Sequence, residues 1–362
     1  MKMPTNIAFP GLGIEQFTVD KIAVSIGRIE IRWYAIMITM GMMLAFLYAG
    51  WRAKREDMVF DDVIDIGLVT VVLGVIGARA YYVLTTLGQF DYSSFMKVIA
   101  VWEGGLAIYG GIIGGCVGVL VTCYFKKKNW RRAFDMITPG VMLAQAIGRW
   151  GNFFNGEAYG YPIKEVTHYY FFNTEHLLPS GEGTLFNALR MGVSHNNGSI
   201  YNYYHPTFFY ECIWNLIGFV IINLLYKKKR FDGQVALMYF TWYGFGRMLI
   251  EGFRTDSLYI PGTTLRISQC LGFACFIVGG ALLAVLLILS CKQKTAPVIA
   301  QTVEAGDDQP LTECENAIAE PELQFEEAVE ACDVTQDNEA ENEPANDCEA
   351  QAKENCEDGN VD

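Results

Sequence analysis

Residues 1–115 contain no cysteine, nor do residues 124–211; the ten cysteines sit in apolar stretches, just past the last of these, or in the C-terminal tail. The polar segments thus have no thiols to cross-link, and a disulfide framework is not expected. Histidine is scarce as well. Three of the four, His168, His176 and His195, fall between residues 155 and 204 at spacings that fit no metal-ligand pattern, so no metal site is expected. Walker, Rossmann and zinc-protease motifs are missing, nothing points to nucleic acid, and no cofactor is implied. Residues 1–32 lack a basic start followed by an apolar run, so no cleavable signal peptide is expected. Basic residues all but vanish at the far end. Residues 297–362 hold 21 Asp and Glu against one Lys, a net of −20, while residues 1–296 carry a net of +7. The acidity of the whole chain belongs to this tail, which has too few large apolar residues to offset its ordering entropy and reads as disordered.

Apolar length is what the chain has in excess. Seven stretches approach the roughly 20 residues needed to cross a hydrocarbon core of about 30 Å. They fall near 33–50, 63–84, 105–125, 134–154, 207–226, 234–250 and 268–290. The seventh, "ISQCLGFACFIVGGALLAVLLILS", is the purest, whereas Gly and Pro interrupt the fourth. Basic clusters follow the first span (Arg52, Lys54, Arg55), the third (Lys126, Lys127, Lys128, Arg131, Arg132), the fifth (Lys227, Lys228, Lys229, Arg230) and the seventh (Lys292, Lys294). The positive-inside rule makes that side cytoplasmic and places the N-terminus outside. The expected fold class is an all-α integral membrane protein: seven transmembrane helices, an exterior head segment and a disordered acidic C-terminal tail. Its divisions are an exterior N-terminal segment (1–32), a transmembrane domain (33–290) carrying an exterior head insertion (155–204), and a cytoplasmic tail (291–362).

Polar residues of the spans gather at the exterior ends. Tyr34 opens the first span and Arg79 lies late in the second. Glu103 and Tyr109 open the third, while Gln145, Arg149 and Asn152 close the fourth. His205 and Glu211 open the fifth, and Arg247, Glu251 and Arg254 close the sixth. At the inner ends only solvated lysines and arginines are expected. A single interfacial arginine is ordinarily a snorkelling side chain. Several at one depth ask for more, because an arginine at mid-bilayer costs roughly 2.5–3.5 kcal/mol on insertion scales. Gln145, Arg149 and Asn152 share a helix face by spacing, as do Tyr243, Arg247, Glu251 and Arg254. Two such stripes facing one cavity make an anion site, since planar guanidinium groups match phosphate geometry. A purely structural ionic network is the competing reading. Gly110, Gly114 and Gly118 form one four-residue ladder, and Gly111 and Gly115 a second; close helix packing is their expected role. Residues 155–204 are too long for a plain connection and read as a functional cap.

"GRWGNFFNGEAYG", residues 148–160, resembles the signature of the bacterial prolipoprotein diacylglyceryl transferases, with Gly148, Arg149, Gly151, Asn152, Phe153, Asn155, Glu157 and Gly160 in register. Further stretches match in order: "SIGRIEIRWY" before the first span, "GAR" ending at Arg79, "GGLAIYGG" at 104–111, "FD" with Asp135, His205 to Glu211, and "GFGRMLIEGFR" at 244–254. The resemblance covers about residues 20–290. It implies a plasma-membrane enzyme that moves the diacylglyceryl group of phosphatidylglycerol to the lipobox cysteine of a prolipoprotein signal peptide. A thioether forms and glycerol 1-phosphate leaves. It also implies a cleft open to membrane lipids.

On this reading Arg149 binds the lipid phosphate and Arg247 stabilises the departing glycerol phosphate. Asn152, Glu157 and Glu251 orient those arginines or the glycerol hydroxyls; Gly160, Tyr34 and Arg79 complete the substrate-binding lining. One position departs from the family pattern, because Tyr109 stands where many members carry histidine. Tyrosine, with a reference pKa near ~10, is a poor base at neutral pH, whereas a thiol near ~8.5 is already partly ionised and is lowered further by positive charge. Tyr109 is therefore expected to position the thiol or a phosphate oxygen, with an interfacial aromatic anchor as the plain alternative. The rival functions are an anionic-lipid or small-anion transporter using the same arginines, and a sensor acting through the tail. Polar residues confined to one membrane end, and the lack of an internal repeat, weigh against transport.

Overall fold

The computed structural model describes residues 5–27, 29–87, 94–157, 159–194 and 202–304; His195 and the acidic tail beyond residue 304 lie outside the described residues. The chain divides into residues 1–294 and 295–362, and the first unit holds everything discussed below except the last ten residues of the final helix. Its helices are α1 (Trp33–Ala53), α2 (Phe60–Thr85), α3 (Phe95–Ile99), α4 (Ile108–Phe125), α5 (Trp130–Asn155), α6 (Leu185–Ala188), α7 (Thr207–Tyr226), α8 (Gln234–Ile250) and α9 (Ile267–Glu304).

Among the described residues, five helices are long and apolar enough to cross a membrane: α1, α2, α4, α7 and the part of α9 up to Cys291. The fourth and sixth expected spans form helices at the expected places but miss that standard. α5 carries Asp135, Gln145, Arg149 and Pro139 within its length, and α8 is only 17 residues long. Their positions explain the tolerance for polarity. α5 packs against α1, α4, α7 and α8, so it faces protein on several sides. The glycine ladders of α4 pack as expected: a Cβ on Gly118 would fall 2.7 Å from the Thr70 backbone, and one on Gly114 would strike the Leu73 carbonyl. α2 and α4 touch backbone to backbone along that line.

The chain is not purely helical. Strands β1 (Thr5–Phe9), β2 (Ile14–Val19), β3 (Ile22–Ile26), β4 (Ile29–Arg32), β5 (Val166–Phe171), β6 (Thr174–Pro179), β7 (Met191–Ser194) and β8 (Asn202–Tyr204) build three small antiparallel sheets. The largest, in the order β2-β1-β7-β8, joins the N-terminal segment to the 155–204 insertion through Asn6↔Ser194, Ile7↔Val193 and Ala8↔Gly192. Its apolar side, with Ile7, Val19, Met191 and Val193, packs on Phe153 and Phe208 at the ends of α5 and α7. β1 and β7 lie over 170 residues apart, so their pairing leaves no local signature; the other pairings join strands consecutive in sequence, but the strands are only three to six residues long and do not register against the long apolar runs that set the all-α expectation.

The opposite end of the bundle corrects a second expectation, because its charges are not merely solvated. Glu56, Arg52 and Asp135 are all buried there. Tyr226 donates to Glu56 Oε1 at 2.8 Å, and Lys229 Nζ lies 2.5 Å from Glu56 Oε2 and 3.1 Å from Asp135 Oδ2. Asp135 accepts from Gly233 N–H (2.7 Å) and Ala236 N–H (2.9 Å), satisfying orphan donors at the start of α8. Arg52 is sandwiched between the Trp51 and Tyr226 rings, 4.1 Å from each centroid. Charges separated in sequence neutralise one another across α1, α5 and α7, which composition alone does not reveal.

Asp135→Ala removes both the α8 cap and one counter-charge of Lys229. The expected loss is about 3 kcal/mol, the lower range for breaking a buried ionic contact. A detergent-solubilised thermal melt checks it; an unchanged Tm would show that the network is dispensable.

Candidate active site

Glu211 sits in the first turns of α7, 2% exposed, and each of its carboxylate oxygens is taken by a different arginine. Arg149 of α5 donates through Nη2 to Oε1 at 2.5 Å; Arg247 of α8 donates through Nη1 to Oε2 at 2.9 Å. Three helices thereby converge on one carboxyl group. Arg247 also reaches Glu251, with Nη2 2.8 Å from Oε2. Arg254 stands 3.9 Å from both Glu211 and Glu251 and grips Asp256 with Nε and Nη2, at 3.0 and 2.7 Å. Three guanidinium groups thus face three carboxylates and the cluster is formally neutral. Neutrality is what makes its burial tolerable, since isolated ions would carry a desolvation penalty of several kcal/mol each.

The members are not held alike. Arg247 is gripped from two sides, whereas among the described residues Arg149 meets one carboxylate, Glu211, and the Arg149 side chain is the most accessible of the three arginines. Asp256 is the most exposed carboxylate of the set, at 44%. Burial raises the Asp256 carboxyl, but the Arg254 hydrogen bonds and charge outweigh it and hold the group below its ordinary range. An entering phosphate would find Arg149 the readiest donor and Asp256 the carboxylate most easily displaced.

Contacts from the 155–204 insertion and from the start of α9 fix the turn that carries Glu251 and Arg254. α8 ends at Ile250, so these two residues do not continue the helical stripe expected from spacing; a 3-10 turn, Glu251–Phe253, re-aims Arg254. Tyr161 N–H donates to Phe253 O at 2.9 Å, Gly160 pairs with Arg254, and the buried Arg266 donates to Glu251 O at 2.5 Å. Gln269 ties the same region to the β5–β6 hairpin: its Nε2 donates to Met248 O and Tyr170 O, and its Oε1 accepts from Phe172 N–H. His205, fully buried just ahead of α7, completes the clamp. Thr167 hydroxyl donates to Pro162 O, so its oxygen accepts from His205 Nε2–H at 3.0 Å, and His205 Nδ1 accepts from the Tyr210 hydroxyl at 3.2 Å. With both ring nitrogens used by neutral partners, burial pushes His205 down to about 4.

Of the residues expected at the site, Arg149, Arg247 and Glu251 are brought together. Tyr109 lies nearby, within electrostatic range of Arg247, its hydroxyl 3.1 Å from Ser268 Oγ. Gly160 touches the cluster by backbone only; a Cβ there would lie 2.6 Å from Phe253 O and 2.8 Å from His205 Cβ, so no larger residue fits. Tyr34, on α1, packs over Gly151 of α5. Asn152 accepts through its carbonyl from the Gly156 and Glu157 amides, closing the end of α5. Glu157 is exposed and accepts from Asn155 at 2.9 Å, away from the arginines. Arg79 is buried and donates to backbone carbonyls of the segment before α4. Gln145 donates to Tyr239 at 3.0 Å, a helical turn below Arg149. Beside that turn a 370 Å³ apolar groove runs between α1, α2 and α5 from Met42 and Phe46 to Gly148. Among the described residues no three His, Cys, Asp or Glu side chains are grouped to hold a metal ion.

The sequence places Arg254 in the second arginine stripe but gives Glu211 no role. A lone carboxylate inside an apolar run was the available signal, since a buried charge demands a partner. Arg266 and Gln269 went unremarked, although both stand at the mouth of the most apolar stretch of the chain.

Residues 21–285 match the prolipoprotein diacylglyceryl transferase family. Similar proteins include one from Streptococcus uberis, 41% identical over 285 residues, covering 77% of this chain and 98% of its own length. Another, from Streptococcus agalactiae, is 40% identical over 267 residues (72% and 93%), and a third, from Streptococcus sanguinis, is 38% identical over 286 residues (77% and 98%). All three relatives carry the name phosphatidylglycerol–prolipoprotein diacylglyceryl transferase.

The buried His205 yields a pH dependence. The folded chain holds it neutral to about pH 4, whereas the unfolded chain takes up a proton below 6.5. Its contribution to stability is complete above 6.5 and fades as pH falls toward 4; the gap corresponds to about 3 kcal/mol. Thermal melts from pH 7.5 to 4.5 should show Tm falling through that window, with a shallower fall in His205→Gln. Parallel curves for the two proteins would contradict the assignment.

Proposed function

The chain belongs to the prolipoprotein diacylglyceryl transferase family, and from that premise we propose that the arginine cluster around Glu211 is where phosphatidylglycerol gives up its diacylglyceryl group to a prolipoprotein cysteine. The protein is a multi-pass membrane transferase of lipoprotein biosynthesis. The substrate segment is the lipobox of a signal peptide, and the coproduct is glycerol 1-phosphate. α5 and α8 also cross the bilayer in this reading, as interior helices whose polar faces meet protein. The N-terminus and the head lie outside, and the tail lies in the cytoplasm.

The observation that carries the reading is the meeting of Arg149 and Arg247 on opposite oxygens of one buried carboxylate. The donor phosphodiester bears one negative charge. As the substrate sulfur attacks the diacylglyceryl carbon, a carbon–sulfur bond forms and the carbon–oxygen bond to phosphate breaks. The electron pair stays on that oxygen, so glycerol phosphate gains charge while the thiol proton goes to the leaving phosphate or to water. Arg149, held by one carboxylate, turns its remaining N–H groups to the phosphate. Arg247, fixed by Glu211 and Glu251, meets the charge that develops. Such prearranged donors act strongly because nothing must reorganise during the reaction. Tyr109, tied to Ser268, positions the thiol or a phosphate oxygen. The groove rising to Gly148 fits one acyl chain of the donor.

The same arginines serve a transporter only if phosphatidylglycerol moves intact. Relatives named for the transfer favour chemistry. Reconstitution with phosphatidylglycerol and a lipobox peptide should give a peptide mass gain of one diacylglyceryl group and an equal release of glycerol phosphate. Arg149→Lys, which keeps the charge and loses the planar fork, should cost about 100-fold in kcat/KM. Tyr109→Phe should cost far less. If Phe at 109 is as damaging as Lys at 149, the positioning role is wrong; if lipid moves without peptide modification, the transferase reading fails.

A further inference from the structure

Residues 86–107 connect α2 to α4, two helices long and apolar enough to cross a membrane, so the connection, described at 86–87 and 94–107, starts and ends at one membrane face. The segment shows large apolar side chains to the outside: Phe95 is 75% exposed, Met96 57% and Trp102 68%. It is nonetheless firmly built. Arg79 donates through Nη2 to Lys97 O (2.6 Å), through Nε to Val98 O (2.8 Å), and through Nη1 to Gly104 O (2.8 Å) and Gly105 O (3.1 Å). Ala107 N–H donates to Ala78 O at 3.1 Å, and Ala100 is buried. Gly105 is needed where it stands: its φ is +70°, and a Cβ would lie 2.5 Å from the Tyr82 ring and 2.8 Å from Arg79 Nη1. One buried guanidinium thus draws four carbonyls inward and leaves the apolar side chains outward.

We propose that residues 95–106 are a wedge seated in the lipid–water interface, with Arg79 as the positioning residue that sets its pitch. The occupant follows from the flanking helices, which end at this face, and from its side chains, since Trp favours the headgroup layer and exposed Phe and Met bury apolar surface there. Carbonyls satisfied from within suit a zone poor in water. The β3–β4 hairpin repeats the pattern at the same face, because α1 begins where α2 ends: Val24 and Ile31 form a cross-strand pair, both exposed, and β4 runs straight into α1. The wedge leads within two residues to Tyr109. On the transferase reading it borders the donor's route to the arginines, but its seating in lipid does not depend on turnover.

The test uses the full chain in nanodiscs whose lipids are brominated high on the acyl chains, with Trp102→Phe subtracted to isolate the Trp102 fluorescence. The Trp102 signal should be quenched by these lipids and shielded from aqueous iodide. In Arg79→Gln the iodide shielding should be lost, and amide exchange across 95–106 should rise about tenfold or more, as for a segment released to local opening. Ready iodide quenching in the unaltered chain overturns the wedge. Shielding that needs two copies per disc assigns the surface to self-association and overturns it as well. An Arg79→Gln protein unchanged in both measurements overturns the role of Arg79. Since none of these readouts requires activity, they separate failure of the wedge from failure of the transferase reading.

Discussion

A carboxylate withdrawn from water must be answered by positive charge, and Glu211 is answered twice. Much of the architecture around the site follows from that demand. Arg149 comes from α5, Arg247 from α8 and Glu211 from α7, so the pairing that neutralises the acid also locks three helices at one depth. Removing either arginine leaves a buried charge short of a partner, which is far more damaging than the pair is stabilising. The arginines are therefore not a free positive field, as their spacing alone suggested, but part of a balanced set.

The 155–204 insertion and the start of α9 support that balance. α8 stops at Ile250, and the turn after it would be free to drift were it not held by backbone bonds from Tyr161 and Gly160 and by Arg266 and Gln269. Gly160 closes the signature segment that begins at Gly148, so one short stretch supplies both the Arg149 guanidinium and the backbone that steadies Arg254. The far end of the bundle repeats the logic with Glu56, Asp135 and Lys229.

Span positions were legible because hydrocarbon thickness imposes length and composition on a crossing helix. α1, α2, α4, α7 and the part of α9 up to Cys291 meet that rule, while α5 and α8 form at the expected places without meeting it. The meeting of Arg149 and Arg247 was legible too, because two stripes of polar residues at matching depth have few other uses. What stayed hidden depends on partners distant in sequence. Glu211 is one acid among many until two arginines are seen upon it, and β1 is unremarkable until β7 lies beside it. Arg79 shows the limit most clearly. The family resemblance places it in the substrate lining, and its guanidinium donates to four backbone carbonyls.

The most direct test of the account is a double-mutant cycle on kcat/KM with Glu211→Gln and Arg247→Lys, singly and together, in reconstituted membranes. If Glu211 acts by placing Arg247, the double variant should lose little more than the worse single one, a coupling of at least ~1 kcal/mol. Fully multiplicative losses would mean that the two groups work independently, and the central claim would fall.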